Sequence, residues 1–458
     1  MKTWIKWVVG IFGVLLVAVL IFSILYWSRL SILMGTEELS GKTEAIPRPV
    51  SRLTSPLTVG DADWISWHGA RGDRRSGVTG IIKDWSGGLE KLWEVDFLCQ
   101  GNTSAAWSAP VVRGNRMIVC GRSTDSDLIF CFDPADGMLL WQASYSAKAG
   151  SSHGTGPRAT PAIDDDRVYT FGRGGDLVCW KLFDGEEVWR ANVSDEGGEA
   201  PMWGHASSPL ILGERVIVQG GGTARTIAYD KLTGNVAWKS GQGLAGYAAL
   251  TGMDLDGKPA VLVFHGKGFA ALDARDGDEL WNISWETPYD VNATTPMAIG
   301  DRVFITSGYG TGCVLLKAGR LGAEVLWQSE IIAAQHTDSY AIDGFLYGYS
   351  GDSSQNKGAF KCVGMEDGSE RWTTNEMGWG TCVFVDGHLL CCDIKGNLFL
   401  MRPTPDRFVK ISEMRGALGD VRGPVWTRPT VANGLLYLRF KQRLVCYRLV
   451  RGQPDVGG

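Results

Sequence analysis

The side chains here that could hold a ligand are few, and they stand out by breaking a pattern. His336 and Asp338 lie two residues apart, and Arg428 is a cation at a place otherwise given to small residues. Together with Trp107, Arg158, Trp379 and Trp426 they form a polar and aromatic set suited to binding, with His205 and Asn292 adjacent to it. Cys391 and Cys392 are neighbours, but successive strand residues point to opposite faces, so they read as two separate packing residues. The ten cysteines show no CxxC spacing and no paired histidines accompany them, so a metal site is not indicated. Gly220-Gly221-Gly222 does not open a helix, which removes a phosphate loop. His153 and His265 read as ordinary loop and strand residues.

The elements that must position this set are repeats. A unit ending in Asp-x-x-x-Gly-x-x-x-Trp, or a near relative, runs from Asp133 to Trp141, Asp184 to Trp189, Asp230 to Trp238, Asp273 to Trp281 and Asp367 to Trp372. Trp327 closes a diverged copy and Trp93 an isolated one, while the unit from Leu398 to Ile411 lacks its Trp. Successive tryptophans at 93, 141, 189, 238, 281, 327 and 372 are 43 to 49 residues apart, the length of a four-stranded propeller blade. Each unit carries one hairpin, with turns at Gly114-Asn115, Asp165-Asp166, Gly213-Glu214, Asp256-Gly257, Gly300-Asp301, Asp343-Gly344, Asp386-Gly387 and Asn433-Gly434. Such pairs supply the positive φ that two-residue hairpin loops need. Eight hairpins predict an all-β fold, an eight-bladed propeller of four-stranded antiparallel blades.

The ends of the repeat region explain each other. Leu444-Val445-Cys446-Tyr447 is a third strand with no fourth after it, and Leu89 to Trp93 is a fourth strand with no three before it. Pairing them seals the ring and removes two exposed edges.

Aligned on the turns, one slot holds Pro110, Pro161, Pro209, Gly252, Pro296, Ser339, Cys382 and Pro429. Proline tolerates a position whose amide faces no partner, so this strand is expected to edge an open channel. The residue before it is small or hydroxylated in six copies and is Asp338 and Arg428 in the others; two further back come Trp107, Arg158, His336, Trp379 and Trp426. These are expected at one mouth of the channel. Cys131, Cys179, Cys362 and Cys446 share a slot with Ala228 and Ala271, marking a small buried site. Cys382 faces Cys391 across the Asp386-Gly387 hairpin as a non-hydrogen-bonded pair with Cα atoms ~4.5 Å apart. That is inside the range disulfides accept, so a cross-strand bridge is an expectation.

Composition sets the outer limits. A net charge of −5 gives no basic footprint for nucleic acid. Residues 7–27 are apolar apart from Gly10, Gly13 and Ser23, long enough as a helix to span a bilayer core of ~30 Å. Trp4, Trp7, Tyr26 and Trp27 flank the run, and Lys2 and Lys6 precede it, favouring an inside N-terminus. The run exceeds a signal-peptide core and no A-x-A site follows, so it reads as an uncleaved anchor. The expected plan is a cytoplasmic 1–6, a transmembrane 7–27, a tether 28–60, a propeller 61–452 and a tail 453–458.

The Asp-x-x-x-Gly-x-x-x-Trp units, with the lead-in Trp64-Ile65-Ser66-Trp67-His68-Gly69-Ala70-Arg71-Gly72 and Gly77 beyond, resemble the pyrroloquinoline-quinone-type repeat of bacterial envelope propellers. The resemblance covers about residues 61–450. It implies that Trp93, Trp141, Trp189, Trp238, Trp281, Trp327 and Trp372 dock each blade on its neighbour. It is shared by quinoprotein dehydrogenases and by the non-enzymatic propeller lipoprotein of the outer-membrane β-barrel assembly machinery, from which this chain differs by an apolar anchor in place of a lipidated Cys. The resulting expectation is a periplasmic, membrane-anchored binding or assembly scaffold with a protein or small-ligand partner and no cofactor. The alternative is a PQQ-dependent oxidoreductase with calcium. The dehydrogenases need Ca²⁺ held by carboxylate and amide oxygens and, in many members, a ring of adjacent cysteines; no Glu-Asn-Asp set stands out among the aligned channel positions.

Overall fold

At all eight turns the chain reverses where two-residue loops were expected, with the first turn residue in the left-handed region at φ between 48° and 61°. In this computed structural model, which describes residues 60–101, 104–150, 153–352 and 357–452, the hairpins close at Arg113↔Arg116, Asp164↔Arg167, Leu212↔Arg215, Leu255↔Lys258, Ile299↔Arg302, Ile342↔Phe345, Val385↔His388 and Ala432↔Leu435. Each hairpin is the inner half of a four-stranded antiparallel sheet, and the described residues form eight such sheets. The apolar run 7–27, the tether up to residue 59 and the tail lie outside the described residues; among the described ones no helix is long and apolar enough to cross a membrane.

The ring closes as the strand count requires. Strand Lys91–Val95 pairs antiparallel with Arg443–Arg448, setting Trp93 opposite Cys446 and completing blade 8.

Blade-to-blade contact explains the repeat residue by residue. The indole N–H of Trp93 donates to Pro134 O at 3.1 Å, Trp141 to Leu182 O at 2.9 Å, Trp189 to Lys231 O at 3.1 Å and Trp238 to Ala274 O at 3.2 Å. Trp281, Trp327 and Trp372 do the same to Gly319, Met365 and Thr404, each at 2.8 Å. Each acceptor belongs to the next blade. The repeat Gly makes room for the ring: a Cβ on Gly137, Gly185, Gly234, Gly277 or Gly368 would meet the previous blade's indole at 2.5 to 3.0 Å. On its own strand, the Trp stands opposite the small slot, as in Cys131↔Trp141, Ala228↔Trp238 and Cys362↔Trp372. A small partner lets the ring lie toward the neighbouring blade.

Blade 7 lacks its tryptophan because Ser412 holds the position, opposite Leu400. The chain repairs this seam from elsewhere. Trp85, 2% exposed, is held by Ser412, whose Oγ accepts from the Trp85 amide at 3.2 Å and donates to Lys83 O at 2.5 Å. Ile82 N–H then donates to Leu449 O at 2.7 Å, the carbonyl standing in blade 8 where indole acceptors stand in the others. The eighth tryptophan comes from outside the period.

The channel is not open, contrary to the expectation from the proline slot. Residues 60–77 run inside it. Trp64 and Val112 exchange both backbone hydrogen bonds, at 2.9 and 2.8 Å, and Ile65 O accepts from Ile163 N at 2.8 Å. His68 Nε2 lies 2.6 Å from Leu250 O, and Trp67 Nε1 donates to Thr295 Oγ1 at 2.7 Å. Arg75–Ser76 adds a short parallel strand to Gly380–Val385, and Ser76 Oγ donates to Val431 O at 2.9 Å. Unpaired inner-strand amides and carbonyls would be costly if buried dry, and this segment satisfies several of them.

Truncating a buried Trp costs about 3–5 kcal/mol. Trp85→Ala and Trp141→Ala are therefore expected to lower unfolding stability alike in urea titrations, whereas Leu321→Ser, at a fully exposed tip, stays within about 0.5 kcal/mol of the parent. A neutral Trp85→Ala would mean that the seam between blades 7 and 8 is filled otherwise.

Candidate functional site

The segments leading into the innermost strands surround a hollow of about 310 Å³ at one end of the channel. Trp67 of the channel segment and Arg428 close its inner end, so it is a cup rather than a pore. Trp107, Arg158, His336, Trp426 and Arg428, all expected at the mouth, do line it. So do His153, Trp203, Tyr247, Tyr309 and Gln335, which the aligned positions did not reveal. His153 had read as an ordinary loop residue.

The wall is a near-continuous circuit of rings. Tyr247 and Trp203 lie 5.8 Å apart by centroid, Trp203 and His153 6.4 Å, His153 and Trp426 5.7 Å, Trp426 and His336 5.7 Å, and Trp107 and Trp426 4.8 Å. Tilted aromatic pairs at these separations hold one another by packing and quadrupole contact. Trp107 is fixed by its indole N–H donating to His153 O at 2.8 Å. At the rim Trp203 meets Tyr289 at 6.3 Å, and Tyr289 meets Tyr309 at 5.5 Å. Both tyrosines sit at positive φ, 61° and 59°, which is uncommon for bulky residues and is a mark of functional loops. Tyr289 is 64% exposed.

The remaining expected residues serve the fold. Asp338 lies below the cup, where its carboxylate faces Arg74 at 3.1 Å and Arg428 at 3.6 Å and accepts Thr295 N–H at 2.8 Å. Arg428 also donates to Trp67 O and lies 4.2 Å over the Trp67 ring. Both break the small-residue rule because they grip the chain's own N-terminal segment. Trp379 is fully buried behind His336, 4.7 Å away, with its indole on Gly351 O at 3.2 Å. Asn292 is fully buried too; its amide donates to His265 O at 2.7 Å and Trp285 O at 3.2 Å while its carbonyl oxygen accepts from Thr287 at 2.7 Å. His205 packs 5.1 Å from Phe171 and is 2% exposed. Asp338, Trp379, Asn292 and His205 do not reach the cup lining, whereas Arg428 does.

Burial governs the titrations. The His336 imidazole is pulled down to about 4 by desolvation and the nearby Arg158 charge, with Asp352 opposing, so it is neutral at pH 7. His68, His205 and His265 also fall to about 4, chiefly through burial. Arg158 is pushed down to about 9 by desolvation, then by Arg173.

Cys382 and Cys391 stand opposite each other as expected, but the bridge is not formed: both are buried thiols, and burial raises the Cys391 thiol well above its ordinary range. Cys391 and Cys392 point to opposite faces, packing in different core clusters, as the strand reading required.

Fold and repeat together define a pyrroloquinoline-quinone-type repeat β-propeller. The family model described as outer membrane protein assembly factor BamB matches residues 124–374, and the chain belongs to that family. The fold is similar to that of BamB from Moraxella catarrhalis (16% identity, TM-score 0.57), covering 80% of this chain and 99% of that one. It is similar as well to a quinohemoprotein alcohol dehydrogenase from Comamonas testosteroni (14% identity, TM-score 0.61; 86% and 81%) and to the computationally designed Ika8 protein (13%, 0.54; 77% and 99%). No curated protein sequence matches the chain.

Asp338→Ala leaves two buried guanidiniums facing each other, and breaking a buried pair costs about 3–5 kcal/mol. A large fall in the denaturation midpoint is expected; an unmoved midpoint would return Asp338 to the ligand set. The histidines give a pH prediction. A folded-state value below the unfolded ~6.5 means that unfolding takes up a proton, so this stability is present above pH 6.5 and lost as pH falls toward 4. His336→Gln should reduce proton uptake on unfolding at pH 5 by about one, measured calorimetrically in buffers of different ionisation heat; unchanged uptake would contradict a neutral buried His336.

Proposed function

We propose that this chain is a membrane-anchored, extracytoplasmic β-propeller that acts as a binding or assembly scaffold in the bacterial cell envelope, without turnover. The anchor reading rests on the apolar run 7–27 and its flanks, and the scaffold reading on membership of a family described by an assembly factor. One observation carries the binding role. The chain folds its own N-terminal segment into the channel and leaves at the other end a blind aromatic cup with two strained tyrosines on its rim.

The quinone-dependent reading has structural neighbours on its side but meets a poor fit. Ca²⁺ needs several oxygen ligands, the cup lining contains no carboxylate, and Asp338 beneath it is engaged by two arginines. No group of three or more His, Cys, Asp or Glu gathers as a metal site among the described residues. The adjacent cysteines, on opposite faces of their strand, do not supply the ring. The residues present therefore do not fit a calcium-bound quinone.

The test uses the full-length chain in detergent micelles. With pyrroloquinoline quinone and Ca²⁺ we expect no dye reduction with alcohols or sugars, and immobilised protein should retain an envelope protein stoichiometrically from membrane extract. Sustained dye reduction above a no-protein control would overturn the scaffold reading.

A further inference from the structure

The N-terminal segment covers only part of the channel wall. In each innermost strand, the residue before the hairpin-closing pair turns its backbone N–H and C=O inward, because its pairing within the hairpin is of the non-hydrogen-bonded kind. Trp64 takes both groups of Val112 in blade 1, and Ile65 O takes the Ile163 N–H in blade 2. Arg75 donates to Ala341 O in blade 6 and pairs with Phe384 in blade 7, and Ser76 Oγ donates to Val431 O in blade 8. The equivalent residues in blades 3 and 4 are Ile211 and Asp254, next to the closing pairs Leu212↔Arg215 and Leu255↔Lys258. Among the described residues nothing bonds their inward backbone groups.

A hollow of about 500 Å³ lies against those free edges, at the hairpin end of the channel and away from the aromatic cup. Blade 4 offers it more than its neighbours do. The slot held by Pro110, Pro161, Pro209, Pro296 and Pro429 in five other blades is Gly252 here. Blade 4 therefore presents two inward amides, Gly252 and Asp254, at the two-residue spacing of a sheet ladder. The walls are apolar, lined by Ile65, Ile163, Leu210, Ile211, Leu212 and Met253. Asp164 and Asp254 are the carboxylates of the lining, which holds no lysine or arginine. Lys231 holds Asp164 at 2.9 Å. Asp254 accepts the Gly257 amide at 2.6 Å and meets no cation among the described residues.

We propose that this hollow takes one extended segment of a partner protein, apolar with a single lysine or arginine, which adds as a strand to the inner edge of blade 4. An exposed strand edge is a template for pairing. In such strand addition the main-chain bonds give affinity and the side-chain pockets give specificity. The lead-in already pairs in this way with Val112 and with Gly380–Val385, so the channel wall accepts an added strand. An acidic segment would instead face the free Asp254 carboxylate. The inference rests on the reading of the chain as a scaffold and gives that scaffold a contact apart from the cup.

The experiment titrates the intact chain in micelles with three fluorescent hexapeptides of alternating valine and threonine. One carries a central lysine, one a glutamate in its place, and one the lysine with its backbone amides methylated. The lysine peptide should saturate one to one below millimolar concentration, with the other two at least tenfold weaker. Ala70→Trp, which puts an indole into the hollow, should weaken the lysine peptide at least tenfold. In the unaltered chain, bound peptide should slow hydrogen exchange at the Ile211, Gly252 and Asp254 amides. No saturation, equal binding of the glutamate or the methylated peptide, or binding that leaves those amides unprotected would overturn the proposal; the last result would put the peptide on an outer blade edge. Protection of the same amides on concentrating the chain alone would assign the hollow to a second copy and overturn it too. If Ala70→Trp fails to fold, the exchange pattern decides. Turnover with quinone and Ca²⁺ sinks the scaffold reading whatever the peptide does, whereas a peptide failure beside retention of an envelope protein sinks this proposal alone.

Discussion

An indole N–H on a backbone carbonyl of the next blade, repeated around a ring, is the contact on which everything else depends. Seven such bonds join successive sheets, and each indole packs where the neighbour's turn leaves room. A single bond of this kind contributes about 0.5–1.5 kcal/mol net. The burial of the ring beside it contributes more, and the bond fixes its orientation. Because the ring is circular, these contacts reinforce one another only if the last sheet is complete, and pairing of Lys91–Val95 with Arg443–Arg448 completes it.

The segment before that strand does three jobs in sequence. Residues 60–77 cross the channel and satisfy inner-strand groups, leaving a hollow of about 500 Å³ against blades 2 to 4; Trp85 fills the seam that Ser412 leaves, and Lys91–Val95 then closes blade 8. A cup with a floor follows from the first of these. Without Trp67, which Arg428 holds through its carbonyl and its ring, the aromatic circuit would have no floor.

The fold was legible because its signals are short in sequence. A two-residue turn declares itself within four positions, and the Asp-Gly-Trp unit within nine, so all eight turns and seven docking rings could be placed without knowing what they touch. Trp85 escaped notice because its partner, Ser412, is 327 residues away and neither belongs to the repeat. Asp338 and Arg428 were correctly marked as exceptions, yet what they bind is the chain's own lead-in, a partner that no alignment of repeats contains. Asn292 and His205 drew attention by adjacency alone and turned out to satisfy or pack on local structure. Trp203 and Tyr247 were missed because they lie in blade-connecting loops whose lengths differ, where counting back from a turn no longer finds equivalent positions; Tyr309 lies instead within blade 5, in the turn between Arg302–Ser307 and Gly312–Gly319, which an alignment on the inner hairpins does not reach. The apolar run 7–27 lies outside the described residues and rests on sequence alone.

The central claim is that the N-terminal segment is an integral part of the channel. Hydrogen–deuterium exchange on the intact chain tests it most directly, through the Trp64 amide, which donates to Val112 O of blade 1 at 2.9 Å and should exchange as slowly as the amides of Arg116–Arg122 in the same blade. Exchange within seconds, while the blade strands remain protected, would show a segment that only visits the channel and a cup without a floor.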